Sequence, residues 1–157
     1  MKKLLWFAAL DLCLLTLATC AQGISPLVSE FNVKPGKAAH GSFYVQSNLL
    51  TPVAYVVEAN KLVLDKTGRH VEPLSPSERI TISSVSGRLG PKEVHEVDFT
   101  IVCDSACNIL FRTAMVTGKT SNGFLTKVWL DHAVYIAQSK HPRQDALLAA
   151  GVILPKK

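Results

Sequence analysis

Val94-His95-Glu96-Val97-Asp98-Phe99-Thr100-Ile101-Val102, followed at once by Cys103-Asp104-Ser105-Ala106-Cys107 and then by Asn108 to Val116, is the stretch on which the fold turns. Val97, Phe99 and Ile101 occupy alternate positions, with Asp98 and Thr100 between them. A helix would throw Phe99 to the side opposite its two neighbours. A strand puts all three on one face, so the pattern reads as a half-buried strand. The short, polar, cysteine-flanked segment then predicts a tight hairpin into a second strand, Asn108 to Val116.

The same alternation recurs on both sides. Gly41 to Ser47 places Phe43 and Val45 together, and Val53 to Leu64 sets Val53, Tyr55, Val57 and Ala59 against Ala54, Val56 and Glu58. Ile80 to Ile82 is a short strand. Phe124 to Ala137 puts Val128, Leu130, Val134 and Ile136 on one face, interrupted by His132, with Lys127, Trp129, Asp131 and Tyr135 on the other. Turn-forming clusters separate these runs: Lys34 to Lys37, Asn48 to Pro52, Lys66 to Arg69, Pro73 to Ser77, Gly87 to Pro91 and Gly118 to Gly123. About seven short strands without a strong helical period predict an all-β fold, a single immunoglobulin-like antiparallel β-sandwich over residues 22–139. Residues 140–157 form a basic tail in which Asp145 to Gly151 has the makings of a short helix, Gly151 serving as its stop.

The N-terminus reads differently. Met1-Lys2-Lys3 leads into an apolar run from Leu4 to Leu17 and out through Ala18, Thr19, Cys20 and Ala21. That order is a secretory signal peptide over residues 1–21, cut after Ala21. A second reading makes Cys20 a lipid anchor. Asp11 interrupts the run, which is also shorter than the ~20 apolar residues of a membrane span. The expected location is therefore periplasmic or secreted. Of the four cysteines, Cys13 and Cys20 fall in the leader, which leaves Cys103 and Cys107 as an even pair in an oxidising compartment. They are expected to form a disulfide that holds the hairpin and its register.

Composition excludes several classes. With 48% hydrophobic and 18% charged residues the chain is neither disordered nor collagen-like. The net charge of +5 comes from Lys and Arg spread without aromatic interleaving, so no nucleic-acid partner is expected. No nucleophile–base pair, paired carboxylate or phosphate loop is apparent, and the expectation is a non-enzyme with no catalytic residue and no cofactor. One rival is a periplasmic copper or thiol protein using Cys103 and Cys107, with His95 or His132 adding a nitrogen ligand. Two thiols are too few for a closed site, so no metal is assigned.

The order of the pieces is more specific. A Pro35-Gly36 turn leads to Gly41-Ser42-Phe43-Tyr44-Val45-Gln46-Ser47-Asn48 and Thr51-Pro52-Val53-Ala54-Tyr55-Val56-Val57. Ile80-Thr81-Ile82 and Leu89-Gly90-Pro91-Lys92-Glu93 follow, ahead of the strand with Val97 and Phe99. This order resembles the N-terminal immunoglobulin-like domain of PapD-like periplasmic pilus-assembly chaperones, from about Ser25 to Ala137. The resemblance implies a protein that lends an edge strand to an exported partner, a pilus subunit whose own sandwich lacks one. It assigns Val128, Leu130, Val134 and Ile136 to partner binding. The sequence has room for one such domain where these chaperones have two. The family's basic pair falls on Asn32 and on His132 or Ala133, so its carboxylate clamp does not carry over. The alternative function is a structural or surface subunit, pilin- or adhesin-like, that self-associates.

Overall fold

Val97, Phe99 and Ile101 do share one buried face, and the strand that carries them lies near the middle of a two-layer sandwich. The structure is a computed structural model that describes residues 22–117 and 125–152. The leader reading of residues 1–21, with Cys20 as its alternative anchor, and the turn at 118–123 lie outside the described residues.

Ten strands and one helix follow in chain order: β1 (Gly23–Ser25), β2 (Val28–Asn32), β3 (Ala38–Gln46), β4 (Val53–Asp65), β5 (Gly68–Glu72), β6 (Glu78–Ile82), β7 (Ser86–Leu89), β8 (Val94–Cys103), β9 (Cys107–Thr117), β10 (Thr126–Ala137) and α1 (Pro142–Ala149). One sheet has the order β1-β3-β8-β6. The other runs β2-β10-β9-β4-β5, with β7 also on β4. Ten strands exceed the expected seven or so. β5 and β7 are short edge pieces, formed where turn-rich sequence lies against opposite ends of the long β4. The first strand is divided in two at Pro26. Before it, β1 pairs antiparallel with β3; after it, β2 pairs parallel with β10 in the other sheet. Proline has no N–H to continue a ladder, so a change of sheet there costs no hydrogen bond.

One expectation is corrected. Cys103 ends β8 in one sheet and Cys107 begins β9 in the other, so Asp104 to Ala106 arch across the sandwich and make no hairpin. The disulfide does form, with Cα atoms 6.3 Å apart. With β8 and β9 unpaired it has no register to hold, and it pins the corner where the chain changes layer. Turn length and alternation are the same for a hairpin and for an arch, which is why the two could not be told apart locally.

Phe43, Phe99 and Phe111 form the centre, with ring centroids 4.8–6.3 Å apart and tilted. Phe31 stands edge-on to Phe99 at 6.0 Å. Gly41 is required beneath that pair, because a Cβ there would come within 2.6 Å of Phe99 and 2.7 Å of Phe31. A second, smaller cluster of Leu62, Leu110, Ala133 and Tyr135 lies on the outer face of the β2-containing sheet, against Ala146 of α1. That cluster gives the C-terminal segment something to dock on. The helix starts three residues earlier than its polar–apolar pattern predicts, since Pro142 is admissible in its first turn. Gly151, at φ 77°, follows its end, and Arg143 N–H donates to Glu30 of β2 at 3.0 Å.

Candidate functional site

Strand β10 is covered unevenly. Residues Ala133–Ala137 are flanked by β2 on one side and by β9 on the other. Residues Thr126–Asp131 have β9 alone, and no strand lies on their other side among the described residues. The Ala133 N–H donates to the carbonyl of Leu27 at 2.9 Å, so that residue's peptide groups face away from β9. Counting back by twos along an unbroken register, Lys127, Trp129 and Asp131 present their N–H and C=O groups to the open side. This is an edge with unmet hydrogen-bonding capacity.

The four apolar residues singled out in the sequence divide at the same point. Val134 and Ile136 are buried in the chain's own core, within the covered half. Val128 is half-buried in the open half, and Leu130 there packs against the edge of the core. On the opposite face Lys127, Trp129 and Asp131 are exposed. The Lys127 Nζ lies 4.1 Å from the Trp129 ring centroid and the Arg112 guanidinium 5.8 Å from it, while Arg112 Nε donates to Asp131 at 3.1 Å. Alternation allowed this face to be seen. The open edge beside it was not legible, because it depends on how far β2 reaches.

His132 marks the boundary between the halves. Its ring is fully buried, stacked on Phe43 at 5.1 Å and on Phe111 at 6.1 Å, and Nδ1 donates to the Pro26 carbonyl at 2.5 Å. Burial pushes its pKa below the usual 6.5, and the Pro26 hydrogen bond opposes that only in part. The neutral ring is therefore the folded form. The unfolded chain takes up the proton first, so the contribution is whole above about pH 6.5 and is lost as pH falls toward the depressed folded value. Asp65 and Glu93, held low by Thr67 and by the Gly90 N–H respectively, act only at more acid pH. We expect denaturant midpoints to fall between pH 7 and 5 in the native chain and to stay flatter in His132→Phe. Equal slopes would show that His132 is not the group responsible.

Other candidate sites do not come together. Cys103 and Cys107 are joined in the disulfide, and His95 lies eight residues back along β8, about 26 Å from Cys103 at strand spacing. No group of three or more metal-ligating side chains occurs among the described residues. Asn32 is paired with Ala137, whereas His132 and Ala133 lie against Pro26 and Val28, so the family's basic-pair positions are not neighbours here. A groove beside α1 contains the carboxylate of Glu78, already occupied by the Ser75 N–H at 2.8 Å and by Lys61 at 4.0 Å.

Several solved structures superpose on this chain over about three quarters of its length. The class 5 fimbriae chaperone CfaA superposes with a TM-score of 0.57 at 9% identity, over 76% of this chain and 57% of that one. The SafB chaperone, solved with the SafA pilin of Salmonella enterica, gives 0.54 at 5% identity, over 77% and 56%. The fold is PapD-like. The same PapD-like fold occurs in domain 7 of human CEP192, with a TM-score of 0.51 at 14% identity over 75% of this chain and 86% of that one. Neither a family model nor a curated protein sequence matches. The chain spans a little over half of the two chaperone chains, and at these identities the likeness establishes the PapD-like fold alone.

Proposed function

We propose that this chain is an exported, protein-binding PapD-like sandwich that lends the open half of β10 to a partner subunit. The observation that carries the reading is the half-strand itself. Lys127, Trp129 and Asp131 offer backbone groups outward while Val128 and Leu130 alternate between them on the inner side. In strand addition, main-chain hydrogen bonds provide affinity and alternate side chains provide selectivity. On this reading Val128 and Leu130 meet the partner, and Val134 and Ile136 anchor the strand that carries them.

On this reading the partner is another exported protein, a pilus subunit with an incomplete sheet; the PapD-like fold and the expected leader support it. Residues 1–21 direct export to the periplasm, residues 22–139 form the binding domain, and the 140–157 tail closes the outer face through α1. No helix among the described residues is long and apolar enough to cross a membrane. The neighbouring folds are chaperones and structural domains, which agrees with a binding role and no catalysis.

Co-expression with a pilus-type subunit from the same organism tests this. A one-to-one complex is expected in which the amides of Lys127, Trp129 and Asp131 gain hydrogen-exchange protection. The loss of exchange should stop at Ala133, whose amide is already bonded. Absence of a complex, or protection confined to another edge, overturns the reading.

A further inference from the structure

We propose that the end of the sandwich at which β1 begins rests on a lipid bilayer bearing anionic headgroups. The choice of a bilayer rests on the export leader of the reading above. The contact itself uses loop and rim side chains, whereas strand lending uses the peptide groups along β10.

Strand registers bring these side chains to one end. Gly23, Gln46 and Val94 lie side by side on the rim of one sheet, and Leu89, Val53, Thr117 and Thr126 on the rim of the other. Beyond that rim stand Leu50, 77% exposed, and Leu125, 65% exposed, the two most exposed large apolar side chains among the described residues. Val94, on the rim itself, is exposed as well. The loop that carries Leu50 is braced against its neighbour. The Ser47 N–H donates to the Glu93 carbonyl at 3.0 Å, and the Lys92 N–H to the Leu49 carbonyl at 3.2 Å.

Exposed leucines scattered singly would need no explanation. These gather at one end, and the charge around them has one sign. Lys92 lies beyond the rim, Arg88 and Lys127 lie one residue inside it, and all three are exposed. Within the same limits the one carboxylate among the described residues is Glu93, which accepts from the Gly90 N–H and faces His95 Nε2 at 3.0 Å. Apolar tips ringed by cations complement an anionic bilayer, with the leucines reaching the acyl boundary and the cations meeting phosphate.

The course of the chain selects this occupant. Gly23 follows Cys20 by three residues, at most about 11 Å of extended backbone. A lipid on Cys20 would therefore hold this end, and no other, against the membrane. A single lipid chain anchors a protein only reversibly, and stable attachment takes a second signal. Leu50, Leu125 and the three cations supply it. By themselves they give a weak contact that salt screens.

Co-sedimentation of the chain from Gln22 onward with vesicles tests this. Binding to mixed phosphatidylglycerol–phosphatidylcholine vesicles is expected to exceed binding to pure phosphatidylcholine at least ~10-fold, and to fall as salt is raised. Leu50→Asp and Leu125→Asp should each weaken it about 10-fold. Lys92→Glu should lower the preference for the anionic vesicles about five-fold or more. Leu148→Asp, an equally exposed apolar position on α1 at the other end, should change nothing. Circular dichroism controls for folding of these surface variants. Equal binding to the two kinds of vesicle, no binding to either, or leucine variants that match the native chain overturns the proposal. Loss of subunit capture in Leu50→Asp with vesicle binding intact would make this end a protein contact and also overturn it. Vesicle binding by a chain that captures no pilus-type subunit would overturn only the chaperone reading.

Discussion

Replacing Trp129 by proline is expected to weaken strand addition at least ~10-fold while leaving the sandwich folded. The N–H of residue 129 faces the open side, so β9 loses no bond when it is removed, and proline is tolerated at such edge positions. An incoming strand, however, finds one carbonyl unpaired. A buried acceptor left without its donor costs about 1–3 kcal/mol, or roughly a factor of five to over a hundred in affinity, before the clash of the ring is counted. Trp129→Thr keeps the amide and a good strand former, and separates the backbone from the indole. Capture of a co-expressed pilus-type subunit, read by co-purification, should survive in the threonine variant and fail in the proline one. If both behave like the native chain, the edge is not the binding element. If both fail equally, the tryptophan side chain carries the contact and the backbone does not.

Phe111→Ala should have the largest effect on stability. Phe111 has no exposed surface and lies between Phe43 at 5.4 Å and Phe99 at 4.8 Å, with His132 on the same cluster. Truncating a buried phenylalanine removes its transfer free energy and leaves a cavity, together about 3–5 kcal/mol. A domain of this size has about 5–15 kcal/mol in all, so the variant should be close to unfolding at physiological temperature. Phe31→Ala is the comparison. That ring is only partly buried at the edge of the cluster, and its loss should cost clearly less. Urea unfolding of the two variants measures the difference. A loss below about 1 kcal/mol for Phe111→Ala would mean that the sandwich closes on something other than its aromatic centre.

The inner faces were legible because alternation is written into each strand separately. Phe43 with Val45, Val97 with Phe99 and Ile101, and Tyr55 with Val57 all turn inward as their spacing requires. Tyr135 shows the limit. Its position opposite Val134 and Ile136 marked it as outward-facing, yet it is fully buried, because α1 packs over the outer face. Nothing within Thr126 to Ala137 announces a helix that begins at Pro142. Leu110 and Leu62 belong to the same patch, and their burial depends on the same distant element.

What the amino-acid order determined unaided is the material of the fold: strands, their inward faces, the turns between them and the cysteine pair. Which strand lies beside which was decided only in three dimensions. The passage of the chain across layers at Cys103–Cys107, the change of sheet at Pro26 and the stopping of β2 opposite Ala133 are all of that kind. Side-chain periodicity is a property of a few consecutive residues, whereas an edge is open or closed according to a segment about a hundred positions away.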